Sequence, residues 1–160
     1  MKKLFLMICA AVLALGMNAQ VYQHQTAAGV NLLYGSEIES MGFGARFNYA
    51  VIDQLRGQVE IDYFFKHDNT NWCDVSLNAE YLLPIKNDVL YIYPKAGMTY
   101  SMVTYKAEGE KDEENHVGLN LGAGLEYEIN ERFAATLEYR HTIIRTVDQG
   151  SFAIGVNYKF

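Results

Sequence analysis

From Ala28 onward, apolar residues recur at every second position, and turn-forming residues cut the pattern into eight segments. The first, Ala28 to Gly35, sets Val30, Leu32 and Tyr34 against Gly29, Asn31, Leu33 and Gly35. The second, Met41 to Val51, sets Phe43, Ala45, Phe47 and Tyr49 against Gly42, Gly44, Arg46 and Asn48. The third carries Leu55, Val59, Ile61, Tyr63 and Phe65 opposite Arg56, Gln58, Glu60, Asp62 and Lys66. The fourth carries Val75, Leu77, Ala79 and Tyr81 opposite Ser76, Asn78 and Glu80. The fifth runs from Val89 to about Tyr105, and the sixth alternates Val117 through Ile129 with glycine, Asn120, Glu126 and Glu128. The seventh has Phe133, Ala135, Leu137 and Tyr139 against Thr136, Glu138 and Arg140. The eighth is the closing stretch, with Phe152, Ile154, Val156, Tyr158 and Phe160 on one face. A period of two predicts strands, so the chain reads as all-β.

The connections alternate in length. Ile52 to Gln54, Pro84 to Asp88 and Asn130 to Arg132 are short. His67 to Cys73, Lys106 to Asn115 and Ile143 to Gly150 read as longer polar loops, with Ser36 to Ser40 the shortest on that side. Short turns at one end and longer loops at the other predict an eight-stranded antiparallel up-and-down transmembrane β-barrel. A soluble barrel of the lipocalin kind has the same periodicity with its apolar face turned inward.

Two features favour the membrane form. The polar face is rich in glycine, and its charges nearly balance: Glu60, Asp62, Glu80, Glu126, Glu128 and Glu138 against Arg46, Arg56, Lys66, Lys95, Arg140 and Lys159. A narrow lumen needs such room beside long charged side chains, where an unpaired charge is costly. Pairing Tyr49 with Leu55 would set Gly44 opposite Glu60, with Arg46 diagonal to it. Pairing Leu83 with Leu90 would set Glu80 diagonal to Lys95. The aromatics are also sorted by depth. Tyr49, Tyr81, Tyr127, Phe133, Tyr158 and Phe160 sit at the short-turn ends, and Tyr34, Phe43, Tyr63, Phe65, Tyr100, Tyr139 and Phe152 at the loop ends. Two aromatic girdles around an aliphatic band suit a bilayer. Pro94, inside a strand without a free edge, and Leu33, Leu82 and Phe64, apolar on the wet face, fit less well.

The ends and the charge narrow the setting. Lys2 and Lys3, the apolar run Leu4 to Leu15 and the small Ala19 have the layout of a secretory signal peptide, over residues 1–19. The run is well short of the ~20 residues a spanning helix needs. The remaining residues, 20–160, read as one barrel domain. The formal charge of −6 is made more negative by removing Lys2 and Lys3, which argues against nucleic acid as a partner. Beyond Cys9 in the leader only Cys73 remains, so no disulfide framework is expected.

Taken with the Tyr93-Pro94-Lys95-Ala96-Gly97 stretch and the aromatic terminus, the chain resembles the small outer-membrane barrels of the OmpX and OmpA-transmembrane-domain type, in a form similar to Bacteroidetes-type chains. The resemblance implies residence in the bacterial outer membrane among its lipids. It also implies that Phe152, Ile154, Val156, Tyr158 and Phe160 are read by the barrel assembly machinery. The expected role is non-enzymatic: a monomer with a side-chain-filled lumen, no cofactor, and loops that contact partners. The acidic segment 106–115 is one candidate surface for them. Two alternatives stand beside it. A lipid A-modifying enzyme would need a serine and a histidine together near the outer leaflet, yet Ser76, Ser101 and Ser151 point inward by parity and His141 outward. A narrow ion channel would be lined by the charged pairs. His67, His116 and His141 read as scattered histidines rather than a metal site, and Trp72-Cys73 as a membrane-edge aromatic beside a free thiol.

Overall fold

The computed structural model describes residues 25–67, 70–86, 89–107, 110–144 and 148–160. The predicted signal segment lies outside the described residues. Nine strands follow in order: β1 Thr26–Gly35, β2 Ser40–Ile52, β3 Leu55–His67, β4 Thr70–Tyr81, β5 Leu83–Lys86, β6 Leu90–Ala107, β7 Glu110–Glu128, β8 Phe133–Ile144 and β9 Gln149–Lys159. Every neighbouring pair is antiparallel, and β1 pairs with β9 as well as β2, so the sheet closes on itself. Val30 lies opposite both Ala45 and Val156, which joins the first and last strands into one wall.

β4 and β5 are two halves of one wall strand, and the barrel therefore has eight. The register runs unshifted from Glu80↔Lys95 to Leu83↔Ile92, so the break falls opposite Tyr93 and Pro94. Proline has no N–H to give to a ladder. The Leu82 amide turns away and donates to the Gln54 carbonyl at 2.7 Å instead. Pro94 thus interrupts the neighbouring strand and leaves its own strand intact.

Several expectations are corrected. The stretch His67–Cys73 is not a loop, because β3 continues to His67 and β4 starts at Thr70. Most of Lys106–Asn115 is likewise strand, in β6 and β7. Beyond the bilayer no lipid imposes an apolar face on a strand, so the sequence there carries no period-two signal. The hairpin registers also differ from the expected ones. A bulge between Ala50 and Ile52 makes Tyr49 face Gly57 and sets Arg46 directly opposite Glu60. Leu83 pairs with Ile92, not Leu90, which sets Glu80 directly opposite Lys95.

The burial pattern fixes which face is inside. Val30, Leu32, Leu77, Leu119, Leu121 and Ile154 are exposed on the outside, while Glu60, Asp62, Glu80, Glu126, Glu138 and Arg140 are buried within. The outer aromatics touch one another in two groups. Phe43, Tyr63 and Phe65 form one, with centroid distances of 5.7 to 6.4 Å, beside Tyr139 and Phe152 at 4.9 Å. At the opposite end Tyr158 meets Phe133 at 5.2 Å and Phe160 at 5.3 Å.

Candidate functional site: an ion-paired lumen under a protruding hairpin

The lumen is built from the inward residues of the wall strands, each placed by the pleat. Arg46 from β2 contacts Glu138 from β8, and lies 3.6 Å from Glu60 of β3. Lys95 from β6 reaches Glu138 at 2.5 Å, Glu80 at 3.4 Å and Glu60 at 3.5 Å. Arg140 from β8 bridges Glu60 at 2.9 Å and Asp62 at 2.7 Å. Nearer the turn end, Arg56 joins Glu80 at 2.7 Å and Glu126 at 2.9 Å. Its guanidinium also stands over the Tyr93 ring, 5.4 Å from the centroid. Nine of the twelve charges assigned to the polar face are therefore brought together. Lys159 pairs with Glu128 at the rim of the turn end. The side chain of Lys66 lies outside the described residues.

Neutral groups fill the space between these charges. Tyr93 donates its hydroxyl to Glu138 at 2.7 Å, and its ring occupies the space that a Cβ at Gly124 would need. Asn120 Nδ2 donates to Asn78 Oδ1 at 2.9 Å, and Asn78 Nδ2 donates to Gln58 Oε1 at 3.1 Å, which ties β7, β4 and β3 across the interior. Such a connected network is worth more than its separate pairs, since each member fixes the rotamers of the next.

Apolar residues close the lumen at both ends. At the loop end Leu33, Phe64, Trp72, Val103, Ile144 and Ala153 form one buried cluster, with Ile38 packed against it. At the turn end Leu82, Tyr91 and Tyr93 form another. The apolar residues that looked misplaced on the wet face are these plugs. Trp72 is a correction: it points inward, nearly buried, and donates its indole N–H to Asp74 Oδ1 at 2.6 Å. Its strand begins earlier than the sequence pattern suggests, so parity gave it no face. Asp74, inward on the same strand, was missed for the same reason.

Above the plug the wall is uneven. β6 has 18 residues and β7 has 19, against 12 in β8. Among the described residues β8 meets β7 from Gly118↔Ile144 downward. The segment Glu110–Val117 is therefore paired to β6 alone among the described residues, and presents one unpaired edge. Glu114 and Asn115 are exposed on it, and His116 lies 3.3 Å from Glu114.

The remaining candidates stay apart. Ser76, Ser101 and Ser151 are buried inside the barrel. Ser36 contacts Glu37 and Gly150, and Ser40 donates to the Phe65 carbonyl at 2.6 Å. Among the described residues no serine hydroxyl bonds a histidine, and no three metal-ligating side chains converge. Cys73 is a half-buried free thiol on the outer face. Phe152, Ile154, Val156 and Phe160 are exposed on the outer face of β9 and its end, with Tyr158 half-buried between aromatic neighbours.

Comparison with known proteins agrees with this geometry. Outer membrane protein X of Escherichia coli is 26% identical over 139 residues, covering 86% of this chain and 77% of its own. The N-terminal β-barrel domain of Pseudomonas aeruginosa OprF superposes with a TM-score of 0.76 at 20% identity, over 86% of this chain and 98% of that one. The attachment invasion locus protein Ail of Yersinia pestis gives 0.63 at 15% identity, over 87% of this chain and 100% of that one. The family described as "Outer membrane protein beta-barrel domain" matches residues 7–160. The chain belongs to that family, and it is a protein of the bacterial outer membrane.

Proposed function

We propose that this barrel is a non-enzymatic surface protein. Its ion-locked body anchors the β6–β7 hairpin outside the membrane as a docking edge. The observation that carries this reading is the flank of Glu110–Val117, which among the described residues has no partner on its β8 side above Gly118. An open strand edge accepts an extended segment by main-chain hydrogen bonds, and side chains on the added strand's neighbours set its specificity. Here those neighbours include Glu110, Asp112, Glu113 and Glu114, so the complementary partner is a basic extended peptide. A second copy of the same edge would set acid against acid, which supports a monomer. Outer-membrane lipid covers the exposed aliphatic band, and the aromatic end of β9 serves as the assembly signal.

The plugs and the paired charges speak against a channel, since an ion would have to break several buried pairs to pass. The separation of serines from histidines speaks against an acyl hydrolase. The test is binding of a lysine-rich extended peptide to vesicles carrying the refolded protein. Glu114→Pro, which disrupts the edge, and reversal of the hairpin acids should each weaken binding, and added salt should weaken it too. Equal binding by all variants would contradict the docking edge.

A further inference from the structure

On the outer wall, at β6 to β9, an apolar groove of about 310 Å³ is lined by Ile92, Ala123, Leu125, Leu137, Tyr139 and Phe152. The register explains why it forms there. Ala123 on β7 lies between Pro94 on β6 and Tyr139 on β8, and Tyr139 lies opposite Phe152 on β9. Leu125, the next outward residue toward the turn end, lies between Ile92 and Leu137. A single methyl group among these longer side chains leaves the hollow. It belongs to the outward apolar band, so acyl chains rather than water meet it.

A polar cradle stands directly above the groove. Gly150, the next outward residue beyond Phe152, has no side chain to cover its backbone. A Cβ there would lie 2.8 Å from Ser36 Oγ, 3.2 Å from the Tyr139 hydroxyl and 3.4 Å from Glu37 Oε2. Tyr139 therefore serves both parts, with its ring in the groove and its hydroxyl in the cradle. Ser36 Oγ and Gly150 N both donate to Glu37 Oε2, which fixes the carboxylate in place. A carboxylate has about four acceptor sites, so Glu37, exposed at the surface, has room for further donors. His141, half-buried, is the register partner of Gly150.

We propose that groove and cradle together bind one acylated saccharide of the outer leaflet, the class to which lipid A belongs. One acyl chain lies over Ala123, and hydroxyl or amide N–H groups of the sugar donate to Glu37. The longer loops of such barrels face the exterior, so Tyr139 and Phe152 stand in the outer leaflet, where this lipid resides. Charge complementarity points the same way. A fixed carboxylate favours the many donors of a sugar headgroup. It repels the phosphodiester that a glycerophospholipid carries beside its acyl chains. The site depends on the membrane location alone and not on the β6–β7 docking edge.

The test is native mass spectrometry of the barrel, refolded in vesicles of phosphatidylethanolamine and lipid A in equal amounts and then released in detergent. One lipid A should remain on each unaltered barrel. Ala123→Trp fills the groove and should lower that retention by about tenfold, the contribution of roughly two buried methylenes. Glu37→Ala should lower it severalfold. Ala79→Trp, on the outer face of β4 and away from the groove, should leave it unchanged. If Ala123→Trp does not fold, the unaltered protein in bilayer discs containing lipid A gives the same reading. Magnetisation transfer from the acyl chain should then reach the Ala123 methyl more strongly than the Ala79 methyl. Retention of phosphatidylethanolamine in place of lipid A would overturn the proposal, as would equal retention by Ala123→Trp, equal loss in Ala79→Trp or equal transfer to the two methyls.

Discussion

At the scale of single residues, the lumen separates charges that hold the barrel from charges that ornament its rim. Arg56 is buried between Glu80 and Glu126, and among the described residues it is the one cation paired with Glu126. Arg56→Ala should therefore cost about 3–5 kcal/mol, read as a shift in the urea midpoint of the refolded barrel. Lys159→Ala, which breaks the rim pair with Glu128, should cost no more than about 1 kcal/mol. Glycines show the same contrast in space. A Cβ at Gly44 would overlap Asp62 and Asn31, so Gly44→Ala should destabilise by about 1–3 kcal/mol. At Gly57 the nearest neighbour would be 3.9 Å away, and Gly57→Ala should change stability by no more than about 1 kcal/mol in either direction. Parity alone placed Arg46, Glu60, Lys95 and Glu138 on the inner face. Which carboxylate each cation meets depends on pairs from β2 across to β8, and adjacent-strand register says nothing of those.

At the scale of elements, alternation revealed strands where lipid imposes one apolar face and failed where they pass beyond the bilayer. The extended ends of β3, β4, β6 and β7 therefore read as loops, and Trp72 as a membrane-edge aromatic instead of a buried one. One turn is tied by hydrogen bonds rather than packing. Between β1 and β2, Glu39 adopts a positive φ of 44°, and Ser36 N donates to the Gly150 carbonyl at 2.8 Å. Gly150 N returns a bond to Glu37 Oε2 at 2.5 Å. The Ser36 hydroxyl, followed by the Gly150 amide, holds the Glu37 carboxyl below its ordinary value of 4.5. A lowered carboxylate stabilises the fold above its unfolded value and loses that contribution as pH falls through the folded one. Amide exchange at Gly150 should therefore accelerate as pH falls below 4.5, after correction for the intrinsic rate. Glu37→Gln should show no such step.

At the scale of the whole molecule, the sequence disclosed an eight-stranded barrel and its outward face, because the membrane imposes period-two alternation on every strand it contacts. It did not disclose how the lumen is closed. Leu33, Phe64 and Leu82 appeared as exceptions to the pattern. They are the seals, joined by Trp72, Val103 and Ile144 at one end and by Tyr91 and Tyr93 at the other. Under the proposed function, a barrel sealed in this way transmits no ions and acts through its surface hairpin. Recording from single refolded barrels in a planar lipid bilayer tests this most directly. The account predicts no steady conductance in the unaltered protein. A steady, reproducible conductance would contradict it.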